Sequence, residues 1–183
     1  MSLEQLPDNL PVPQDDGACD HLIGMHLPAV SLPSTKGGEV DLADLGGCVV
    51  IYCYPMTGQP GVALPEGWDE IPGARGCTPQ SCAFRDHYED LSALGASVFG
   101  LSVQDTPYQA EMAERLHLPF AVLSDAEHRF AHALRLPQFK AAGMDLIKRV
   151  TIIAHDSVIT HIHYPVFPSH DDADWVIAQL KSR

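Results

Sequence analysis

Basic residues are scarce in this 183-residue chain: eleven Lys and Arg stand against 24 Asp and Glu, a net charge of −13 with histidine neutral. A surface of that sign repels phosphate backbones and anionic headgroups, so nucleic acid and membrane surfaces are poor partners. Long apolar runs are missing too, none approaching the ~18 residues needed to cross a bilayer. The opening MSLEQLPDNLPVPQDDGACD has neither a basic start nor an apolar centre, so it does not read as a secretory signal and a cytoplasmic location is expected. It reads instead as a flexible acidic arm over residues 1–20, followed by a single domain over 21–183. One domain suits a length in the range of about 100–200 residues.

A disulfide framework is excluded as well. The five cysteines are an odd number, and without an export signal they are expected to stay reduced, serving packing, metal or redox chemistry. No Cys-x-x-Cys pair of a disulfide reductase is present. Cys77 and Cys82 lie five positions apart, while Cys19, Cys48 and Cys53 are scattered. Cys48 and Cys53 are expected to be inert packing residues on opposite faces of a strand. Cys19, in the arm, is expected to be open to nonspecific oxidation.

The clearest local signal is CVVIYCY at 48–54, a continuous β-branched and aromatic run bounded by Gly46-Gly47 and Pro55. Such a run fits a strand covered on both faces in the middle of a mixed sheet. Before it, the turn at 34–38 suggests a small hairpin. From 55 to 76 Gly and Pro dominate, and no regular element is expected there. Helical spacing then begins at Cys77 and continues through Phe84, Tyr88 and Leu91 to about Leu94, with Gly95 as a stop. Strands are expected at 96–103 and 118–125, a helix at 106–116 and a short one near 127–134, then an irregular connection at 137–145. A hairpin of 146–155 with 157–165 and a final helix from Asp171 to about Lys181 complete the chain. Alternation of strand and helix with a terminal hairpin gives an α/β fold, a mixed central sheet with helices on both faces.

Cys77 stands where the Gly/Pro loop gives way to a helix. First-turn amides have no partner within a helix and carry about half a positive charge, so a thiolate is stabilised at that place. Five helical residues rise ~7.5 Å and leave the Cα atoms of Cys77 and Cys82 ~8–9 Å apart, beyond the roughly 7 Å a disulfide spans. Coupling of the two sulfurs therefore requires the first turn to unwind. Packing remains an alternative role for this pair. Metal binding remains another, for which His161 and His163, alternating on one strand face, are the further ligands on offer.

The segment GCTPQSCAFRD at 76–86 resembles the active-site segment of the Q-type peroxiredoxins, the bacterioferritin comigratory proteins: Gly-Cys-Thr, four residues between two cysteines, then a hydrophobic residue and Arg-Asp. The resemblance extends over about residues 21–182, including CYP before the loop and KRVTII at 148–153. It implies a thioredoxin-like fold and a thiol peroxidase needing no cofactor. Cys77 would be the peroxidatic cysteine and Cys82 the resolving one. Pro55 would match the motif proline that shields the thiolate, and Arg149 the arginine that holds the thiolate and the peroxide oxygens. The chain departs from the family pattern at Ala74, where the family has threonine. An insertion reconciles the two: PMTG at 55–58 keeps proline and threonine, and the extra loop 58–76 falls between Thr57 and Cys77, with Thr57 supplying the hydroxyl. Trp68 in that loop is a candidate apolar lid.

By this resemblance Cys77 attacks hydrogen peroxide or an organic hydroperoxide, becomes a sulfenic acid, and condenses with Cys82. A thioredoxin or glutaredoxin-like dithiol protein then reduces the bridge. Both cysteines lie in one chain, so a monomer suffices. Two other classes remain open on the residues alone: a non-catalytic redox sensor whose helix start melts on oxidation, and a metal-binding scaffold.

Overall fold

The computed structural model describes residues 6–182; residues 1–5 of the expected arm, and residue 183, lie outside the described residues. A small antiparallel hairpin, β1 (Ser31–Pro33) with β2 (Glu39–Asp41), comes first. Then follow β3 (Cys48–Cys53), α1 (Cys77–Asp86), α2 (Tyr88–Ala93), β4 (Ala96–Ser102), α3 (Thr106–Arg115), β5 (Ala121–Ser124) and α4 (Arg129–Ala133). A second hairpin, β6 (Gln138–Ala141) with β7 (Met144–Ile147), precedes β8 (Val150–His155), β9 (Val158–His163) and α5 (Asp172–Lys181). The main sheet has the order β5-β4-β3-β8-β9. β3, β4 and β5 run parallel, and β8 and β9 are antiparallel additions. This is the mixed α/β, thioredoxin-like arrangement the sequence indicates.

β3 is central because its side chains can be covered on both faces, and all six of its residues are buried. Period-two alternation sends Val49, Ile51 and Cys53 into one core with Leu22, Leu123 and Phe130. Val50 and Tyr52 face the other, with Phe84, Met112 and Val176. Tyr52 stacks on Phe84 of α1 at 4.5 Å between ring centroids and 9° between planes, and its hydroxyl donates to Ser81 Oγ at 3.1 Å. That pair seats α1 on the sheet. Gly100 on β4 makes room for it, since a Cβ there would lie 2.7 Å from the Tyr52 hydroxyl.

Several expectations are corrected. The helix expected from Cys77 to Leu94 is interrupted at His87, which separates α1 from α2. The connection expected at 137–145 is largely the β6–β7 hairpin, and the strand expected at 146–155 is divided, Leu146 and Ile147 belonging to β7. Within the loop 55–76, Trp68–Glu70 forms a 3-10 turn. Trp68 packs against Phe139 and, with Ala74, Ala141 and Leu146, makes a small core of its own beneath the loop.

Cys19 is not exposed in a loose arm: it is 4% exposed within the core that also holds Leu22 and Cys53. Asp16 anchors that stretch, accepting from Lys148 Nζ and from the Tyr164 hydroxyl, both at 2.9 Å. Among the described residues no helix is long and apolar enough to cross a membrane.

Candidate active site

The loop-to-helix junction depends on Gly76. It is the N-cap of α1 at φ +113°, a backbone state that side chains disfavour. A Cβ at Gly76 would also stand 2.3 Å from Ser169 Oγ. Cys77 is consequently the first helical residue. No side chain caps the helix, and no acidic residue occupies its first turn to compete for the positive end of the dipole.

Arg149 arrives from the start of β8 and is 3% exposed. Its Nη2 stands 3.2 Å from Cys77 Sγ and donates to the carbonyls of Gly73, Ala74 and Arg75, each also at 3.2 Å. Its Nη1 donates to Gln80 Oε1. A buried guanidinium with acceptors on both Nη atoms is held in one orientation, with its positive charge beside the sulfur. Cys77 is itself 3% exposed, and its thiol donates to the Ala74 carbonyl at 3.7 Å. A pocket of about 20 Å³ adjoins it, lined among others by Met56, Thr57, Trp68, Arg75 and Thr78. That volume holds about one water molecule.

Thr57 lines the same pocket and is 1% exposed. Gln104 secures it from both sides. Gln104 Oε1 accepts from Thr57 N at 2.9 Å and from Thr57 Oγ1 at 3.2 Å, while Gln104 Nε2 donates to the Thr57 carbonyl at 3.1 Å. The Tyr108 hydroxyl donates to that carbonyl as well, at 3.1 Å. Pro55 is buried just past the end of β3 and is not among the residues lining the pocket. The inserted loop contributes Leu64, Trp68 and Arg75 to the pocket wall, and Arg75 pairs with Asp69 at 3.2 Å. Trp68 therefore combines packing with a place beside the sulfur.

Cys82 lies in the same unbroken helix as Cys77, half-buried against the core that holds Phe84 and Leu91. No disulfide joins any of the five cysteines. Burial pushes the Cys19 thiol up to about 12, with help from the Asp16, Asp15 and Asp20 charges, and pushes Cys53 up further. Both thiols are thereby kept protonated and unreactive at neutral pH. His163 and His161 have separate partners. His163 Nδ1 bonds Asp172 Oδ1 at 2.7 Å, and His161 Nδ1 bonds Thr160 Oγ1 at 3.0 Å. Among the described residues no group of three or more His, Cys, Asp and Glu is placed to hold a metal ion.

The residues missed on the sequence are Gln80, Gln104, Tyr108 and Arg75. Gln80 lay within the quoted motif, three positions after Cys77 and so on the same helix side. Gln104 and Tyr108 carry no local signal, because the chain brings them to Thr57 only through the β3–β4 pairing.

Comparison with known proteins identifies the family. The Redoxin family model matches residues 22–177. Peroxiredoxin Bcp of Escherichia coli (strain K12) is 30% identical over 159 residues, covering 84% of this chain and 92% of that protein. Peroxiredoxin Bcp of Bacillus subtilis (strain 168) is 31% identical over 119 residues, 64% of this chain and 66% of that protein. Among solved structures, Peroxidoxin BcpB from Mycobacterium tuberculosis superposes with a TM-score of 0.72 at 25% identity, over 87% of this chain and 96% of that one. Xanthomonas campestris Peroxiredoxin Q shares the fold, with a TM-score of 0.68 at 19% identity over 95% of this chain and 98% of that one. The chain thus belongs to the redoxin family and, within it, to the Q-type, Bcp-like peroxiredoxins, which are thiol peroxidases.

Proposed function

We propose that this peroxiredoxin reduces hydrogen peroxide and organic hydroperoxides through Cys77 and completes each cycle through Cys82. The observation that carries the reading is the 3.2 Å approach of Arg149 Nη2 to a sulfur set at the open N-terminus of a helix. The Cys77 thiolate attacks the terminal oxygen of R–O–O–H. An S–O bond forms, the O–O bond breaks, and RO⁻ leaves to take up a proton as alcohol, or as water when R is hydrogen. Charge develops on the peroxide oxygens during transfer. Arg149, beside the sulfur, and the open N-terminus of α1 are in place before the reaction begins, and donors held ready in that way are the effective ones. Thr57, whose hydroxyl donates to Gln104, lines the pocket and offers its oxygen as an acceptor for the peroxide proton, and Pro55 is assigned only the turn out of β3 that leads to Thr57. A pocket this small admits the peroxide oxygens and leaves an organic remainder at its mouth.

The sulfenic acid on Cys77 then meets the Cys82 thiol, forming a disulfide and releasing water. Because both residues belong to one helix, that step requires the first turns of α1 to unwind. A thioredoxin or glutaredoxin-like protein supplies the two electrons that reopen the bridge, in the reducing compartment of the cytoplasm. A single chain carries both sulfurs, so a monomer is competent. Turnover of hydrogen peroxide and of alkyl hydroperoxides with a thioredoxin system, followed by NADPH oxidation, tests the proposal. Many peroxides consumed per protein supports an enzyme. A single oxidation without recycling by thioredoxin or glutaredoxin identifies a sensor instead.

A further inference from the structure

Behind Arg149 lies a buried chain of polar groups that the peroxidase reaction does not itself touch. Gln80 and Asp172 are both 0% exposed. Gln80 Nε2 donates to Asp172 Oδ2 at 2.7 Å, and the Thr151 hydroxyl donates to the same oxygen at 2.7 Å. The other carboxylate oxygen receives His163 Nδ1 at 2.7 Å, and the His163 ring stacks on Trp175 at 4.4 Å and 14°. Asp172 thus gathers α1, β8, β9 and α5 around one carboxylate.

The donor and acceptor roles in this chain are forced. A guanidinium only donates and an ionised carboxylate only accepts. The Gln80 amide between them has one correct orientation, oxygen toward Arg149 and nitrogen toward Asp172. Without an acceptor at 172 the amide is free to turn its NH₂ toward the guanidinium, donor against donor, and to displace it from the sulfur. We infer that Asp172 is a positioning residue of the active site: by fixing the sense of the Gln80 amide it holds Arg149 against Cys77. His163 and Thr151 fix Asp172 in turn. This inference rests on the reading of Cys77 as the reacting sulfur.

The test exchanges the two polar partners. Asp172→Asn replaces the obligatory acceptor by an amide that can present either its oxygen or its NH₂ to Gln80, so the sense of the Gln80 amide is no longer fixed from that side. Gln80→Glu places two carboxylates in contact. The double variant Q80E/D172N restores a consistent pattern, with the carboxylate now on α1 accepting both from Arg149 and from the amide now on α5. The readouts are the alkylation rate of Cys77 by iodoacetamide at fixed pH, located by peptide mass spectrometry, and kcat/KM for hydrogen peroxide. Each single variant is expected to lower both about tenfold, and the double variant to recover to within about threefold of the parent. Gln80→Met, which buries no new charge, is expected to match the singles, and it decides the matter with the double variant should a single variant not fold. Folded variants alkylated at the parental rate, or a folded double variant no better than Gln80→Met, would overturn the inference. Peroxide turnover surviving in Cys77→Ser would instead overturn the reading beneath it.

Discussion

Arg149 Nη2 lies 3.2 Å from Cys77 Sγ and equally close to three consecutive carbonyls, those of Gly73, Ala74 and Arg75. One nitrogen thus ties the end of the inserted loop to the sulfur. The end of the loop is tied down by a cation that shares its two Nη2 hydrogens among these acceptors, together with the packing of Trp68 and Ala74 against Ala141 and Leu146.

Replacing Arg149 by Lys is expected to reduce kcat/KM for hydrogen peroxide about 10²-fold, the scale of losing one oriented charge-stabilising donor. An ammonium is a point charge and cannot span Gln80, the carbonyls and the sulfur as the planar guanidinium does. Stability should fall by roughly 1–3 kcal/mol, because buried carbonyls lose donors. Initial rates and urea midpoints check both. Parental activity in the Lys variant would contradict the role given to the guanidinium.

Gly76→Ala addresses the junction itself. The new Cβ meets Ser169 Oγ at 2.3 Å and inherits a φ of +113°. A cost of about 1–3 kcal/mol is expected from crowding alone, with more from the strained backbone, together with slower peroxide reduction as Cys77 leaves the helix start. Denaturant midpoint and initial rate are the measurements. A variant as stable and as active as the parent would show that the junction tolerates a side chain.

Cys82→Ser separates the two halves of the cycle. Peroxide should still convert Cys77 to a sulfenic acid that dimedone traps, while turnover with thioredoxin stops. In the parent, mass spectrometry of peroxide-treated protein should find a 77–82 bridge. Circular dichroism should register a loss of helix on oxidation, since α1 cannot hold that bridge intact. A bridged protein with unchanged helicity would contradict the unwinding step.

Acid should release the stretch around Asp16. Hydrogen bonds from Lys148 and then Tyr164 lower the Asp16 carboxyl from its ordinary 3.8 to about 2. A depressed carboxyl pKa means that the anchoring is fully present above about pH 4 and is lost as pH falls through about 2. Labelling of Cys19 by dithiodipyridine, which reacts with thiols in acid, should rise across that window. In Asp16→Asn it should already be several-fold faster at pH 7. Equal labelling of the variant and the parent at pH 7 would show that Asp16 does not hold Cys19 under cover.

The legible parts of the fold are those written in contiguous sequence. β3 announces itself as an unbroken β-branched run between glycines and a proline, and the helix start at Cys77 follows from the abrupt end of the Gly/Pro loop. The break at His87 is invisible because the apolar spacing of Phe84, Tyr88 and Leu91 runs straight through it. The β6–β7 hairpin hides for a different reason. Its turn uses Ala142 at φ 48° before Gly143, without the Asn-Gly or Asp-Gly pair that marks such turns. At the site, Cys77, Cys82, Arg149 and Thr57 could be named from motif residues. Gln104, Tyr108 and Asp172 acquire meaning only when the sheet pairs β3 with β4 and β8 and α5 packs beneath, and the burial of Cys19 likewise depends on contacts with Lys148 and Tyr164 far along the chain.

The most direct measurement is peroxide consumption by Cys77→Ser beside the parent, with a saturating thioredoxin system and a folded-state check by circular dichroism. No consumption above the protein-free blank is expected from the Ser variant, because an oxygen nucleophile at that helix start cannot form the sulfenic acid. Consumption at a substantial fraction of the parental rate would mean that another group reduces peroxide in this protein.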